Sequence, residues 1–402
     1  MMRLLPARRR PRLVLLLAAC AVLALLAPAA SSAAAPSDHE QHGKNKAAKH
    51  QTAVDATATV TAKVALGKLV YVGPFAQLIA GGNPSRTIEI GDESNVQDSV
   101  LVDAGAGAVK LGHMVILAHG SSVIGPATIG EGGACPGGAP MCSSFVSFNA
   151  QVAGAKIERD AMVSALARVA PGVTIPSGRK VLAGKNVASQ AEVTAETAEV
   201  TEADRAFMKG VIEVNVAFAK GYDKLGKSAM RGINVDPGGS AFNKKRDSPT
   251  LAGRKTRDHK FRNRIIGDVR LADTKATLDE VMGVRISLRA DEGEPFVLGP
   301  IASMASRTTF HALEHSGIQV GARGVYGYRS IVHGGPTDFA NQTITGADFT
   351  LGPQAVFFRS RAADNVTVGA RSVVQQSDLA AGAVVPPRVV MVANEVAGTV
   401  EW

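Results

Sequence analysis

The sequence predicts an all-β solenoid built twice in tandem, with one α-helix after the first copy. Three observations predict it. Aliphatic residues recur at every sixth position in the first half: Ile90, Val96, Val102, then Leu111, Leu117, Val123, Ile129, then Val163, Val169, Ile175, Val181, Val187. That period matches neither an amphipathic helix nor a simple alternating strand. It matches a β-solenoid with one short strand per hexad and three hexads per triangular coil. Second, glycine often follows the aliphatic residue, as in Ile90-Gly91, Leu111-Gly112 and Ile129-Gly130, and small residues suit tight corners. Third, only 4% of residues are aromatic, which fits a narrow core of Val, Ile and Leu. A β-sandwich with regularly spaced strands would favour period two and broader aromatic use.

In chain order, residues 1–35 have the pattern of a secretory signal peptide. Arg8, Arg9, Arg10 and Arg12 make a basic start, and Leu13 to Leu26 an apolar run too short to span a membrane. Ala29 to Ala35 offers small residues for cleavage. Leu17-Ala18-Ala19-Cys20 also fits a lipoprotein signal with lipid on Cys20, although the apolar run continues past that cysteine. A secreted or extracytoplasmic location follows. Residues 36–60 are polar and rich in Ala and Lys, as expected of a disordered tether. Solenoid 1 is expected over 61–190 and a packing helix over 191–225. In that helix Thr201-Glu202-Ala203-Asp204 is the cap, Phe207, Val211, Val214 and Phe218 fall at helical spacing, and Gly221 marks the end.

Residues 226–264 form a basic linker holding Lys244, Lys245, Arg246, Arg254, Lys255, Arg257, Lys260, Arg262 and Arg264. The formal net charge of +9 is therefore uneven. The linker is either simply solvated or adheres to an anionic cell-surface polymer or lipid. Nucleic acid is excluded, because no aromatic stacking residues interleave with the charges. Hexads return over 265–400, less cleanly: Leu298, Met304, Phe310, then Val320, Tyr326, Val332, then Val368 and Val374. Beyond Cys20, the remaining cysteines are Cys135 and Cys142, in a loop rich in Gly and Pro. In an oxidising compartment a disulfide between them is the first expectation.

The histidines are divided between the halves. Ser94-Asn95-Val96-Gln97-Asp98 is followed by Leu117-Ala118-His119 in the first. Phe310-His311-Ala312-Leu313-Glu314 and Val332-His333-Gly334 stand in the second. The stretch Ile90 to Asp98, with Val115 to Pro126 and Gly172 to Gly178, resembles the γ-class carbonic anhydrases. Val214-Asn215-Val216 with Gly221-Tyr222 is similar to that family's C-terminal helix. This resemblance covers roughly Thr61 to Tyr222. The second half resembles the same family over fewer motifs, from about Ile265 to Ala397, with Leu288 to Pro295 similar to an Arg-x-Asp-Glu-Gly-x-Pro segment.

The resemblance implies left-handed parallel β-helix (hexapeptide-repeat) domains and CO2 hydration to bicarbonate at a metal held by three histidines. Both halves depart from the pattern. The first has Asp103 and Ile124 at the places of the first and third histidines and keeps His119 at the second. The second half keeps His311 and His333 and has Tyr328 at the second place. It shows Ser303 and Ala305 for the Asn and Gln of the other half, which in turn shows Ile79 and Gly81 for its Arg-x-Asp. The losses are complementary, so His119, His311 and His333 would rebuild one site for zinc, with iron or cobalt as alternatives. The resemblance further implies that Gln97 and Asn95 orient the reactants and that Asn215 reaches the pocket. It makes Glu314 a proton shuttle with Glu292 as partner, and Arg289 and Asp291 an interface ion pair. A trimeric ring through solenoid faces is the family's assembly. A ring of three cannot alternate two domain types, so fewer than one metal per solenoid is expected. Two other functions stay open: an inactive scaffold or wall-associated protein of the same fold, and a hexapeptide acyltransferase.

Overall fold

The computed structural model describes residues 51–225, except 82 and 84, and 263–402, except 268, 274, 292–295, 314–315 and 336–341. Expectations placed on residues 1–35, on the basic linker before 263, and on Glu292 and Glu314 lie outside the described residues.

The chain folds into two left-handed parallel β-helices, and each has three sheets running along its prism. In solenoid 1 the sheets hold eight, seven and six strands. In solenoid 2 they hold eight, six and five. Strands of two to four residues stack in parallel register from coil to coil, as Ile116 on Asn95 and Phe145 on Ile116 do. The hexad aliphatics point inward: Ile90, Val96, Val102, Leu111, Leu117, Val123, Ile129 and Val163 to Val187 all belong to one buried cluster. Fully buried apolar surface at this density is the main favourable term for each prism.

The expectation of an aromatic-poor core holds for solenoid 1 and fails for solenoid 2. The second core carries Phe296, Phe310, Tyr326, Phe349 and Phe357. Its hexads are less regular because rings fill what a run of Val and Ile fills in the first.

Three boundaries differ from expectation. The region expected as tether already carries strands, Ala53–Val54 and Thr59–Val60, which pair with the next coil. They were missed because a two-residue strand has too little periodicity to stand out. The packing helix is Glu202–Leu225, which starts at the expected Thr201–Asp204 cap and fills only the later part of 191–225, and it runs through Gly221. Before it, Thr197–Glu199 turns back antiparallel on Arg179–Val181 and closes that sheet's edge. Arg264, expected in the linker, starts a strand of solenoid 2, and its guanidinium meets Asp55 of solenoid 1 at 2.6 Å, both fully buried.

The two solenoids pack through one sheet each. Ile116, Ala118, Phe145 and Met162 of solenoid 1 share a buried cluster with Ile331, Val356, Phe358, Val373 and Val390 of solenoid 2. The long helix lies on the same seam, contributing Met208, Val211 and Ile212. Its start is a reciprocal capping box: Asp204 N–H donates to Thr201 Oγ1 at 3.1 Å, and Thr201 N–H to Asp204 Oδ2 at 2.9 Å. No described helix is long and apolar enough to cross a membrane. Cys135 and Cys142 are joined in a disulfide that closes the exposed loop between two coils.

Candidate metal centre

Three imidazoles converge at this seam. His119 follows the strand Val115–Leu117, at the corner where solenoid 1 turns to its next face. His311 and His333 are register partners on neighbouring strands of solenoid 2, Thr309–Ala312 and Ile331–Gly334. The solenoid coil thus stacks two histidines from far apart in sequence on one face, and the domain pairing adds the third. One nitrogen from each lies within 4.8 Å of the others. His119 Nε2 is 3.1 Å from His311 Nδ1, which is 3.3 Å from His333 Nε2. All three rings are buried.

The outer nitrogens decide which lone pairs face the centre. His333 Nδ1 sits 2.5 Å from the carbonyl of Gly334, which can only accept, so it carries the proton and leaves Nε2 bare. His119 Nδ1 lies 3.0 Å from Asp98 Oδ2, too bent for a full hydrogen bond but placed so that only a proton there is electrostatically tolerable. His311 differs. Its Nε2 accepts from Arg289 at 2.7 Å, while Asp291 Oδ1 stands at 3.5 Å with no hydrogen-bond partner of its own. Its Nδ1 proton then fills the space between the two bare Nε2 atoms. The three facing nitrogens would hold an ion only with His311 in its other tautomer, protonated on Nε2, where the orphaned Asp291 Oδ1 stands 3.5 Å away to accept the hydrogen bond. The donor set fits a divalent ion of the zinc type, which takes three imidazoles and keeps one position open.

Charges behind the histidines are fully buried. Arg289 reaches Asp98 at 3.3 Å and Asp291 at 3.4 Å, and donates to the Tyr71 hydroxyl. Tyr222 from the helix donates to Asp291 at 2.5 Å, and Ser287 to Asp98 at 2.5 Å. Arg289 and Asp291, expected as an interface ion pair, are both fully buried. They are an inner network shared by both solenoids and the helix. Burial opposes its charges, but Arg289 lowers both carboxylates, holding Asp98 well below the ordinary carboxylate range and Asp291 below it. Burial pushes His119 down to about 4 and His333 well below its ordinary value, so both are neutral, as ligands must be.

The walls are apolar. Phe148 lies 5.0 Å from the His333 ring and 5.9 Å from His119, Phe358 5.4 Å from His333, and Phe218 6.2 Å from His311. Asn95 is fully buried and neither atom of its amide has a partner; Gln97 is buried two residues on. Asn215 is buried on the helix, but its amide nitrogen donates to Val211 O of the same helix at 2.8 Å. Tyr328 stays away, 44% exposed. Asp103 and Ile124 are register partners on solenoid 1, as His311 and His333 are on solenoid 2. That repeats, in three dimensions, the equivalence inferred from sequence.

Sequence reasoning missed Asp98, Tyr71, Phe148, Phe218, Ser287 and Phe358. Asp98 had a signal, as the last residue of Ser94–Asp98. The others are set only by which faces meet.

A curated relative, a carbonic anhydrase of Methanosarcina thermophila, is 33% identical over 192 residues, covering 42% of this chain and 71% of its own. With the repeat fold and the histidine cluster already in place, that likeness makes the chain a member of the γ-class carbonic anhydrase family. No family model matches the sequence. Among solved structures, a hexapeptide transferase family protein from Anaplasma phagocytophilum is 21% identical, covers 42% of this chain and 92% of its own, and has a TM-score of 0.31. A putative acetyltransferase from Bacillus cereus is 21% identical, covers 43% and 92%, and has a TM-score of 0.26.

Proposed function

We propose that this chain is a secreted, metal-dependent carbonic anhydrase whose single centre is shared between its two solenoids. One observation carries the reading: three buried imidazole nitrogens from two domains converge within 4.8 Å, in a cluster that neither domain has alone. His119, His311 and His333 would hold the ion. When bound, zinc in such a site supplies a Lewis acid that brings the pKa of water to about 7, enough to form a nucleophile for CO2. Iron or cobalt would serve the same role.

The chain's own residues set the rest. Asp98 orients His119, and the Asp291 carboxylate, which stays ionised, is placed 3.5 Å from His311 Nε2 to accept a hydrogen bond from it. Phe148, Phe218 and Phe358 give the site apolar walls, which keep bulk water out and suit an apolar substrate such as CO2. The unpartnered Asn95 amide, with Gln97, is available to orient the reactants by hydrogen bonds. Glu314, with Glu292, is the proposed route for the proton that leaves, a step that needs a carboxylate near the site. Oligomerisation through the remaining solenoid faces, and adhesion of the basic linker to anionic surface polymer, belong to the same proposal.

The test is stopped-flow CO2 hydration by the mature protein loaded with zinc, iron or cobalt, beside His119→Ala. Activity abolished by His119→Ala is expected, since His119 belongs to the solenoid lacking the other two ligands. No activity under any metal loading would overturn the reading in favour of a non-catalytic scaffold.

A further inference from the structure

Away from the metal centre, two arginines meet over one tryptophan where the chain's last residues bridge the solenoids. The Arg168 guanidinium of solenoid 1 lies 3.9 Å from the centre of the Trp402 ring, and that of Arg371 from solenoid 2 lies 5.0 Å away. The indole N–H donates to Leu166 O at 2.6 Å, which fixes the ring. Each arginine is also gripped from the side by a neutral acceptor one coil away. Arg168 Nε donates to Gln151 Oε1 at 2.9 Å, and Arg371 Nε to Gln354 Oε1 at 2.8 Å.

Neutral grips fix both side chains without cancelling their charge. Neither forms an ion pair with a described carboxylate. The adjacent acid, Glu401, is turned away, held by Lys185 at 2.6 Å and by the Asn186 N–H at 3.0 Å. Arg388 stands one coil beyond Arg371 on the same corner. Partial burial, with the positive charge of Arg371 beside it, pulls Arg168 below its ordinary value. Stacking on Trp402 uses the guanidinium faces, and the glutamines use Nε. The terminal N–H groups of both forks remain on two half-exposed side chains of like charge, near enough for Arg371 to act on Arg168. Such paired forks match the geometry of an oxyanion, which accepts two parallel N–H bonds from each.

We propose that Arg168 and Arg371, held beside Trp402, form a binding site for an oxyanion of the phosphate or bicarbonate type, separate from the metal centre. The anion would tie the two solenoids together at the seam.

Trp402 is the sole tryptophan of the chain, so its emission reports this site directly. The full chain is titrated with inorganic phosphate, and separately with bicarbonate, at ionic strength held constant with chloride. A saturable change in emission is expected with one or both. Arg168→Gln and Arg371→Gln should each weaken that affinity about tenfold or more, the loss of charge-assisted hydrogen bonds. Arg371→Lys keeps the charge but loses the fork, and should also weaken binding. Line broadening of the phosphorus resonance of phosphate provides a readout of the ligand itself, independent of tail order. Emission that follows ionic strength alone, or equal affinity in wild type and the lysine variant, would overturn the site and leave the arginines as a clasp for the tail.

Discussion

At the residue scale, Asp98 does the most work beyond the ligands. Its carboxylate faces His119, Arg289 and Ser287 at once, with no exposure to water. Asp98→Asn keeps the shape but removes the charge that orients His119 and offsets Arg289. Loss of such an outer partner weakens metal binding about 10- to 100-fold. Leaving Arg289 with less compensation in a buried site costs about 3–5 kcal/mol. Competition with a chromophoric chelator and urea unfolding would measure the two separately, and wild-type metal affinity in the variant would contradict the orienting role. A pH effect follows from the same cluster. His119 is pushed down to about 4 in the folded protein, against about 6.5 unfolded, so between those values the unfolded chain binds more protons. Stability of the metal-free protein therefore rises with pH through that window and is lost as pH falls from about 6.5 to 4, by an amount on the order of 3 kcal/mol. Urea midpoints across pH should show this slope, and His119→Gln should reduce it while leaving the part that His333, also pushed well below its ordinary value, contributes.

At the element scale, the long helix locks the pocket as well as packing on a face. Phe218 and Tyr222 stack on Tyr71 of solenoid 1, and Tyr222 reaches Asp291 of solenoid 2. Its start depends on the Thr201–Asp204 box, and Asp204 is further held by Lys180 at 2.6 Å. Thr201→Ala should lower the unfolding free energy by about 1 kcal/mol, with the melting temperature as the readout. An unchanged melting temperature would mean that Lys180 and packing hold the helix without its cap. This box was legible in the sequence because it is local: four consecutive residues carry all of it. The hexads were legible for the same reason, since each aliphatic position declares its own inward face. What was not legible is whatever depends on two faces meeting. Gly120 shows the difference. It follows His119 in the motif, and its φ of +69° permits the corner. Its need for no side chain comes from Asn149, whose Oδ1 would lie 2.3 Å from a Cβ there. Asn149 is in turn fixed by donating to Arg329 O and Gln354 O of the other solenoid. Nothing near Gly120 in sequence announces that clip. The early strands at 53–60 and the aromatic core of solenoid 2 escaped for a related reason, since their pattern is completed only by neighbouring coils.

At the scale of the whole molecule, the number of metals per chain follows from which faces remain. The paired faces supply His119 from one solenoid and His311 with His333 from the other. On solenoid 1, the positions that match the second pair are Asp103 and Ile124, and Asp103 Oδ1 already accepts from the Gly105 N–H at 2.8 Å. On solenoid 2, the position that matches His119 is Tyr328. Bringing these outer faces together, in any closed ring or between two chains, would join one committed carboxylate, an aliphatic side chain and a phenol. Three neutral nitrogen donors cannot arise there, so assembly adds no second centre of this kind. Metal content should therefore saturate at one ion per chain, half an ion per solenoid, whatever oligomer elutes. Elemental analysis of the size-exclusion peak against protein concentration measures this, with His119→Ala expected to drop well below one. Two ions per chain would refute the shared centre. A folded protein that never retains metal after loading and desalting would refute the centre itself, because the converging nitrogens would then be held together only by the proton on His311 and the ion pairs behind it.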